Sequence, residues 1–147
     1  MDLRYNLIKM AYKRKEGKNI LNPATVPDTN YFVNRLNGGL TKPSATGGEW
    51  RHSDYIPVIA NTAYYFGEIP ALASTAGTAW YDSEYNFISG FNATTLSNNN
   101  NIMTAPENAA YMRHSWRIDE GYNTNWENTI YICIKGDLHK FKPYEEE

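Results

Sequence analysis

The chain has 147 residues, the length of one domain, and a fold of this size can bury roughly 70% of the unfolded surface in a single core. Its formal net charge of −2 argues against nucleic acid as a partner of the whole chain, and its single cysteine excludes a framework of intrachain disulfides. The apolar runs are far too short to cross a bilayer, so the sequence predicts no membrane partner.

The composition favours strands joined by polar turns. Tyrosine, with 12 residues, and asparagine are frequent, whereas lysine and glutamate, the usual residues of helix surfaces, are sparse between the two ends. Tyrosine and asparagine also suit recognition, because one offers a rigid amphipathic ring and the other an adaptable amide. The alternative, that asparagine only fills turns and tyrosine only fills strands, stays open.

Residues 1–18 are predicted to form a basic attachment or oligomerisation arm. They carry six basic and two acidic side chains, a charge of +4, whereas the other 129 residues carry eight basic and fourteen acidic ones, a charge of −6. Such asymmetry indicates a segment with its own partner, which we expect to be another protein subunit. Helical spacing and charge single out the expected contacts: Leu3, Leu7, Met10, Lys13 and Arg14. A merely solubilising tail is the alternative, and charges in this segment also argue against an export signal.

The next segments predict an edge and a first hairpin. Residues 19–27 contain two prolines and are expected to lie extended along an edge of the fold. Residues 31–34 and 40–41 flank an Asn-Gly-Gly turn signal, which predicts a hairpin. Trp50 then follows a loop of small and polar residues, where an exposed indole could stack on a sugar. A tryptophan that closes one end of the core is the alternative.

Residues 54–58 and 61–67 are predicted strands. In the first, Tyr55 alternates with apolar neighbours, and Pro57 indicates an edge strand or a bulge because proline cannot donate a ladder hydrogen bond. In the second, alternation places Tyr64 and Phe66 on one face and their neighbours on the other.

A second hairpin and a loop tip come next. Two aromatic strands, residues 79–81 and 86–89, flank the polar residues 82–85, which is the pattern of a β-hairpin. The run of four asparagines at 98–101 predicts a loop tip, because asparagine tolerates turn geometry.

The last two predicted strands are residues 109–117 and 129–135. In the first, alternation separates an inward set of even-numbered residues, including His114 and Trp116, from an outward set that includes Tyr111 and Arg113. In the second, the isoleucines at even positions face inward and Tyr131 faces the other way. If both strands lie in one sheet, Tyr111, Arg113, Arg117 and Tyr131 share a face. Residues 141–147 end the chain as an acidic tail.

No catalytic residue, metal site or cofactor is predicted. The histidines are widely separated, and only His52 with Asp54 has a chelating spacing, which we interpret as incidental. Two pairs of carboxylates lie close in sequence but are better explained as turn residues: Asp82 with Glu84, and Asp119 with Glu120. Motifs for a nucleophile or a phosphate-binding loop are absent, so we expect no enzyme activity.

Glycan binding suits the side chains better. Sugars are held by aromatic rings that stack on their C–H surfaces and by Arg, Asn and Asp groups that bond their hydroxyls. The candidate ligand-binding residues are Trp50, Asp82, Tyr85, Tyr111, Arg113, Trp126 and Tyr131. The alternative for Arg113 is an ion pair with Asp82 or Glu84 across the sheet.

Four segments in order, NILNPATV, SDYIPVIANTAYYFG, AWYDSEYNFISGF and MTAPENAAYMRHSW, resemble a domain of bacteriophage virion proteins. It is the jelly-roll, carbohydrate-binding-module-like domain of tail, baseplate and head-fibre proteins. The resemblance spans about residues 19–135 and rests mainly on WYDS, NFISG and TAPENAAYMR. It implies an all-β, antiparallel jelly-roll β-sandwich over residues 19–140, with the short N-terminal arm before it.

The resemblance also implies a setting. Such a protein is made in the host cytoplasm, lies on the virion surface, forms homo-oligomers with a trimer favoured, and contacts other virion proteins and host polysaccharide. A short basic arm in place of a long fibre shaft makes a head fibre or capsid decoration protein a serious alternative to a tail fibre. We therefore expect a non-enzymatic virion surface protein that binds host glycans and aids adsorption. The alternatives are a structural capsid or tail decoration protein without ligand, and a cellular carbohydrate-binding module.

Overall fold

The computed structural model describes residues 19–68 and 73–135. The predicted arm, the acidic tail at 141–147 and His139 lie outside these residues, as do the expected arm contacts Leu3, Leu7, Met10, Lys13 and Arg14. Within the described ranges, no helix has the length and the apolar character that a membrane span requires.

The described chain is mainly β-structure. Its strands are β1 (Phe32–Asn34), β2 (Leu40–Thr41), β3 (Trp50–His52), β4 (Ile56–Pro57), β5 (Ala63–Gly67), β6 (Ala76–Tyr81), β7 (Phe87–Phe91), β8 (Ile102–Thr104), β9 (Tyr111–Arg117) and β10 (Tyr131–Ile134). Two short helices, α1 (Ala93–Asn98) and α2 (Trp126–Thr129), and a 3-10 helix at Pro23–Thr25 complete it. The strands form two sheets in which every pairing is antiparallel.

The larger sheet has seven strands and is centred on β6 and β9. On the side away from β6, β9 pairs with β3 and with β4. On the side away from β9, β6 pairs with β1 and with β7. Strand β2 pairs with β1 and completes the first predicted hairpin, and β6 with β7 completes the second. Two long central strands are thus bordered by short, broken ones. Pro57 lies in one of these border strands, as predicted.

Ser53 fills the interruption between β3 and β4. Its backbone N–H donates to the carbonyl oxygen of His114 at 2.8 Å, and its hydroxyl oxygen accepts the N–H of His114 at 2.9 Å. The serine is fully buried. The backbone groups of His114 in β9 are therefore hydrogen-bonded in the gap between β3 and β4, and the acceptor of its N–H is a side-chain oxygen.

The smaller sheet has the order β10-β5-β8. The segment that enters the fold lies along β10: the N–H of Ile20 donates to the Ile132 carbonyl at 2.8 Å, and Asn19 Oδ1 accepts the Ile132 N–H at 3.0 Å. The extended edge segment predicted for residues 19–27 is therefore confirmed only at its start, because the 3-10 helix interrupts it.

The two sheets face each other across the main core. Tyr64 and Phe66 of β5 meet the larger sheet, where Tyr64 contacts Trp80 and Phe66 contacts His114, with ring centroids 6.2 and 5.2 Å apart. These side chains are at most 2% exposed, and Met112 and Trp116 are fully buried beside them. The alternation predicted for β5 and β9 is thus confirmed, with Ser115 as an exception because it is buried on the opposite face.

The condition for a face shared by β9 and β10 is not met, since the two strands belong to different sheets. Tyr131 of β10 lies opposite Gly67 of β5, and a Cβ at residue 67 would overlap the Tyr131 ring. Gly67 therefore leaves room for the Tyr131 ring where β10 pairs with β5. Cys133 shares the face of Tyr131, opposite to the isoleucines, yet it is only 2% exposed.

Helix α1 was not predicted. Asn92 caps it by accepting the N–H of Thr95 on its side-chain oxygen, and Leu96 anchors it in the core with 1% exposure. The predicted loop tip is confirmed just after it, where Asn100 and Asn101 adopt positive φ angles of 56° and 63°.

Candidate functional site

Four tyrosines and an arginine gather on the outer face of the larger sheet. We name this group the outer tyrosine cluster: Tyr55, Tyr81, Tyr85, Tyr111 and Arg113. Tyr81 of β6 lies directly opposite Tyr111 of β9, and both therefore project from the face that points away from the core. Tyr55 comes from the stretch before β4, and Tyr85 comes from the turn between β6 and β7. Four separate stretches of chain thus meet here.

The rings of the cluster hold one another. Tyr85 stacks on Tyr111 with centroids 4.6 Å apart and planes at 15°, and Tyr55 meets Tyr85 edge-on at 4.7 Å. Tyr55 also meets Tyr81 edge-on at 5.0 Å. Ring pairs of this kind contribute about 0.5–1.5 kcal/mol each beyond the area they bury. Tyr85 is the outermost ring and is 50% exposed.

Arg113 is fixed beneath these rings. Its Nε donates to the Tyr81 hydroxyl at 3.0 Å, and one terminal nitrogen donates to the carbonyl oxygen of Gly38 at 2.7 Å. Its guanidinium carbon lies 4.4 Å from the centre of the Tyr55 ring, a cation–π contact. Within the described residues it forms no ion pair with Asp82 or Glu84. The outer face therefore carries a positive charge that no carboxylate described here neutralises directly.

The turn between β1 and β2 closes over this arginine. The Tyr81 hydroxyl donates to the Gly38 carbonyl at 2.6 Å, so one carbonyl accepts from both Tyr81 and Arg113. Gly38 has a φ of +75°, and a Cβ there would lie 2.6 Å from Phe87 Cδ2. Only glycine brings this carbonyl so close without strain. Burial raises the pKa of Tyr81, an effect opposed by its bond to Arg113, so its phenol stays protonated at neutral pH.

Asp82 organises the turn that carries Tyr85. One carboxylate oxygen accepts the N–H groups of Glu84 and Asn86, both at 2.9 Å, and the other accepts the Asn86 side-chain amide at 3.2 Å. These bonds, with the Asn86 N–H foremost, lower the pKa of Asp82. Tyr85 itself has a φ of 66°, which the turn sustains. Asp82, predicted to bond a ligand, thus lies beside the cluster with its carboxylate engaged in positioning Tyr85.

Trp50 is not part of this site. It is only 3% exposed, its indole N–H donates to the Gly47 carbonyl at 2.9 Å, and its ring lies 5.8 Å from that of Phe32. The prediction of an exposed, sugar-stacking Trp50 is wrong, because the indole closes a small core cluster instead.

Tyr131 also lies elsewhere, on the outer side of the smaller sheet. Its ring centroid is 6.0 Å from that of Tyr65, and burial foremost, with the neighbouring Tyr65, raises the pKa of its phenol to about 12. It cannot act together with Arg113, which is on the other sheet.

Trp126 forms a separate site. It begins α2, and its ring lies 5.2 Å from that of the buried Trp116. It lines a pocket of about 400 Å³ with Val26, Pro27, Asp28, Arg51, Ile118 and Glu127. The seven predicted ligand residues therefore separate: Asp82, Tyr85, Tyr111 and Arg113 come together, and Trp50, Trp126 and Tyr131 do not.

Sequence reasoning missed Tyr55, Tyr81 and Gly38 as members of the site. The alternation of Tyr55 with Ile56 and Val58, both buried, gave a usable signal that it faces outward. For Tyr81, the register of β6 against β9 was needed, and for Gly38 no local signal indicates the carbonyl contact. Its bond to Arg113 joins positions 75 residues apart.

The two histidines that the structure describes, His52 and His114, are both buried and hydrogen-bonded. His52 is buried with its Nδ1 2.7 Å from the Ser53 carbonyl, and His114 is buried with its Nδ1 2.6 Å from the Thr78 hydroxyl. Burial lowers the pKa of both, that of His114 to about 3. In the part of the chain that the structure describes, no group of three or more His, Cys, Asp or Glu side chains could hold a metal ion.

Comparison with known proteins gave no match to a protein-family model, a curated protein or a solved structure. Because a fold by itself does not specify a function, the function has to be argued from the chemistry of the outer tyrosine cluster.

Proposed function

We propose that this chain is a non-enzymatic surface protein of a bacteriophage virion that binds host surface glycans and so aids adsorption. The observation that carries the proposal is the outer tyrosine cluster, in which a half-exposed Tyr85 is stacked on Tyr111 above the fixed charge of Arg113. We further propose that the two facing antiparallel sheets belong to a jelly-roll sandwich.

The cluster suits a sugar because it combines an aromatic face with polar groups. The exposed ring of Tyr85 can stack on the C–H face of a pyranose. The same turn exposes Ser83, Glu84 and Asn86, whose side chains can bond hydroxyls. Asp82 and the neighbouring rings hold Tyr85 in place before any ligand arrives, which reduces the entropy lost on binding.

The proposal assigns no catalysis to this site. A glycoside hydrolase needs two carboxylates facing each other across the scissile bond, about 5–10 Å apart. The two carboxylates of the β6–β7 turn belong to Asp82 and Glu84, and Asp82 is engaged by three hydrogen bonds within that turn. Neither a metal nor another cofactor is part of the proposal.

The virion setting rests on the segments named above, from NILNPATV to MTAPENAAYMRHSW. In this setting residues 1–18 attach the protein to other virion proteins, and a homo-oligomer, preferably a trimer, presents several copies of the cluster to host polysaccharide. Many weak sites on one particle then act together, so each need not bind tightly. Deleting residues 1–18 should abolish attachment to the virion and leave the folded domain intact.

Binding by the full chain tests the function. Whole host cells and an array of host polysaccharides are probed with the wild type, with Tyr85→Ala and with the matched control Tyr122→Ala. Tyr122 is also a turn tyrosine beside an arginine, with 43% exposure, but lies outside the cluster. We expect Tyr85→Ala to weaken binding about tenfold, equivalent to about 1.4 kcal/mol, and Tyr122→Ala to leave it unchanged. Equal binding by both variants would refute the site.

A structural capsid or tail protein without ligand is the second candidate. It is favoured by Leu36 and Leu40, which are 59% and 41% exposed at the hairpin that borders the larger sheet. Exposed apolar residues at a sheet edge suit contact with another subunit. A folded, oligomeric chain that binds neither host cells nor any polysaccharide would favour this role.

A further inference from the structure

The pocket beside Trp126 lies at one margin of the core, away from the outer tyrosine cluster. Arg51 of β3 is paired with Trp116 of β9, so the two side chains project from the same face of the larger sheet, the one that meets the smaller sheet. Trp126 covers Trp116 with ring centroids 5.2 Å apart. The pocket thus opens where the edge strand β3 borders the core.

Arg51 gives the pocket a fixed polar wall. Its side chain is only 12% exposed, and it donates to the Trp50 carbonyl at 2.9 Å, to Asp28 at 2.8 Å and to Glu49 at 3.1 Å. A planar guanidinium bonded on several sides has little freedom left. The Arg51 guanidinium forms an ion pair with one carboxylate oxygen of Asp28, whose side chain is 95% exposed at the mouth of the pocket.

The other walls are apolar and aromatic. Val26, Pro27 and Ile118 line the pocket together with the indole of Trp126. Of the four tryptophans, Trp126 is the one with an accessible ring, since the others are at most 3% exposed. The pocket has a volume of about 400 Å³, within the range of roughly 300–1,000 Å³ typical of small-molecule sites.

The charges select among ligands. Asp28 and Glu127 line the pocket as carboxylates, and Glu49 also bonds the single arginine. Three negative groups therefore oppose one positive group, which disfavours an acidic ligand. Carboxylates accept hydrogen bonds from hydroxyl or ammonium groups, and an indole face accepts the C–H side of a sugar ring.

We propose that this pocket is a second glycan subsite, which takes one pyranose residue that is uncharged or amino-substituted and rejects acidic sugars. The sugar stacks on Trp126, and its hydroxyl or amino groups donate to Asp28 and Glu127. The inference rests on the proposed glycan-binding function and adds to it a second site and a class of sugar.

The test is an NMR titration in which sugars are added to the full chain with its indole nitrogens labelled. The four tryptophans give four indole N–H signals, and the signal of Trp126 reports on the pocket. The probes are methyl glycosides of glucose, galactose and mannose, their 2-amino counterparts and the corresponding uronic acids. We expect the Trp126 signal to shift most with at least one neutral or amino sugar and to stay in place with the uronic acids.

The variants are Trp126→Ala, Asp28→Asn and Glu127→Gln, with Glu120→Gln as the matched control. Glu120 is likewise an exposed carboxylate, bonded to Arg117 at 3.0 Å, but it does not line the pocket. We expect Trp126→Ala to weaken binding at least about tenfold and each acid-to-amide change to weaken it several-fold. The two amide variants keep the test decisive if Trp126→Ala fails to fold, which its melting curve will reveal.

Three results separate this inference from the function it rests on. If Tyr85→Ala weakens glycan binding while no sugar shifts the Trp126 signal, the pocket is not a subsite and the function stands. If the Trp126 signal shifts and Tyr85→Ala binds normally, the pocket is the main site and the outer tyrosine cluster is not. Shifts of equal size with uronic acids would overturn the assigned class of sugar.

Discussion

The buried imidazole of His114 makes the fold sensitive to acid in a range where few other groups titrate. Phe66 and Trp116 contact the ring, its Nδ1 lies 2.6 Å from the Thr78 hydroxyl, and burial lowers its pKa from 6.5 to about 3. In the unfolded chain the same histidine regains its ordinary pKa. The unfolded state therefore binds the proton first as the pH falls.

The sign and size of the effect follow from this difference. A folded-state pKa below the unfolded value means that stability is complete above about pH 6.5 and declines as the pH falls towards 3. Between about pH 7.5 and about pH 5 the unfolded state gains a proton that the folded state does not bind. At 1.36 kcal/mol per pH unit, this lowers the free energy of unfolding by about 2 kcal/mol. His52, whose pKa is also lowered by burial, adds a change in the same direction.

Urea unfolding at both pH values measures the effect. The wild type is compared with His114→Phe, which removes the titrating group and keeps a ring, and with a His52→Phe control. We expect His114→Phe to be less stable at neutral pH, because the Thr78 hydroxyl loses its partner, and to lose about 2 kcal/mol less on acidification than the wild type. The quantity compared is the change in the free energy of unfolding between the two pH values, so the lower stability of His114→Phe at neutral pH does not affect the result.

A direct titration covers the case in which His114→Phe does not fold. The ring carbon signals of His114 in the folded wild type should stay at their neutral positions from about pH 7.5 down to about pH 5. An imidazole that protonates near pH 6.5 in the folded protein would refute the reasoning. So would an equal loss of stability in the wild type and in the variant.

Three further substitutions test the features that position the site. Ser53→Ala leaves the His114 N–H without its side-chain acceptor, and urea unfolding should show a loss of about 1–3 kcal/mol. Gly38→Ala forces a Cβ towards Phe87 at a φ of +75°, so we expect a loss of at least about 1 kcal/mol and, if the proposed function holds, weaker glycan binding. Asp82→Ala removes the acceptor that shapes the turn, so we expect the free energy of unfolding to fall by about 1 kcal/mol. If the proposed function holds, glycan binding should also weaken, although no ring of the cluster is changed. Unchanged unfolding curves would contradict the first two predictions, and full binding by Asp82→Ala the third.

Local patterns were sufficient for the strands and turns that position the cluster. The alternation in residues 111–117 predicted that Arg113 and His114 project from opposite faces of the sheet. The polar break at 82–85 located the turn that carries Tyr85. Both features depend on neighbouring residues, because side-chain period and turn chemistry are set within a few positions.

Long-range choices were beyond the sequence. Alternation shows which face of β10 is apolar but not that it joins β5, where Gly67 leaves room for the Tyr131 ring. The burial of Trp50 depends on Phe32, which comes from another strand. Helix α1 has only six residues, and four of them, Thr94, Thr95, Ser97 and Asn98, are weak helix formers, so its stability comes from the Asn92 cap and the packing of Leu96.

The way Ser53 completes the hydrogen bonding of β9 bears on how this surface can diversify. Since its hydroxyl and amide satisfy His114, the chain can leave the sheet for residues 54 and 55 and return at β4 with no buried amide on β9 left unmatched at this point. Tyr55 reaches the outer face from that excursion. Mutations or insertions there would reshape the outer face while the central pair of strands keeps its register, so, under the proposed function, ligand preference can change at little cost to folding.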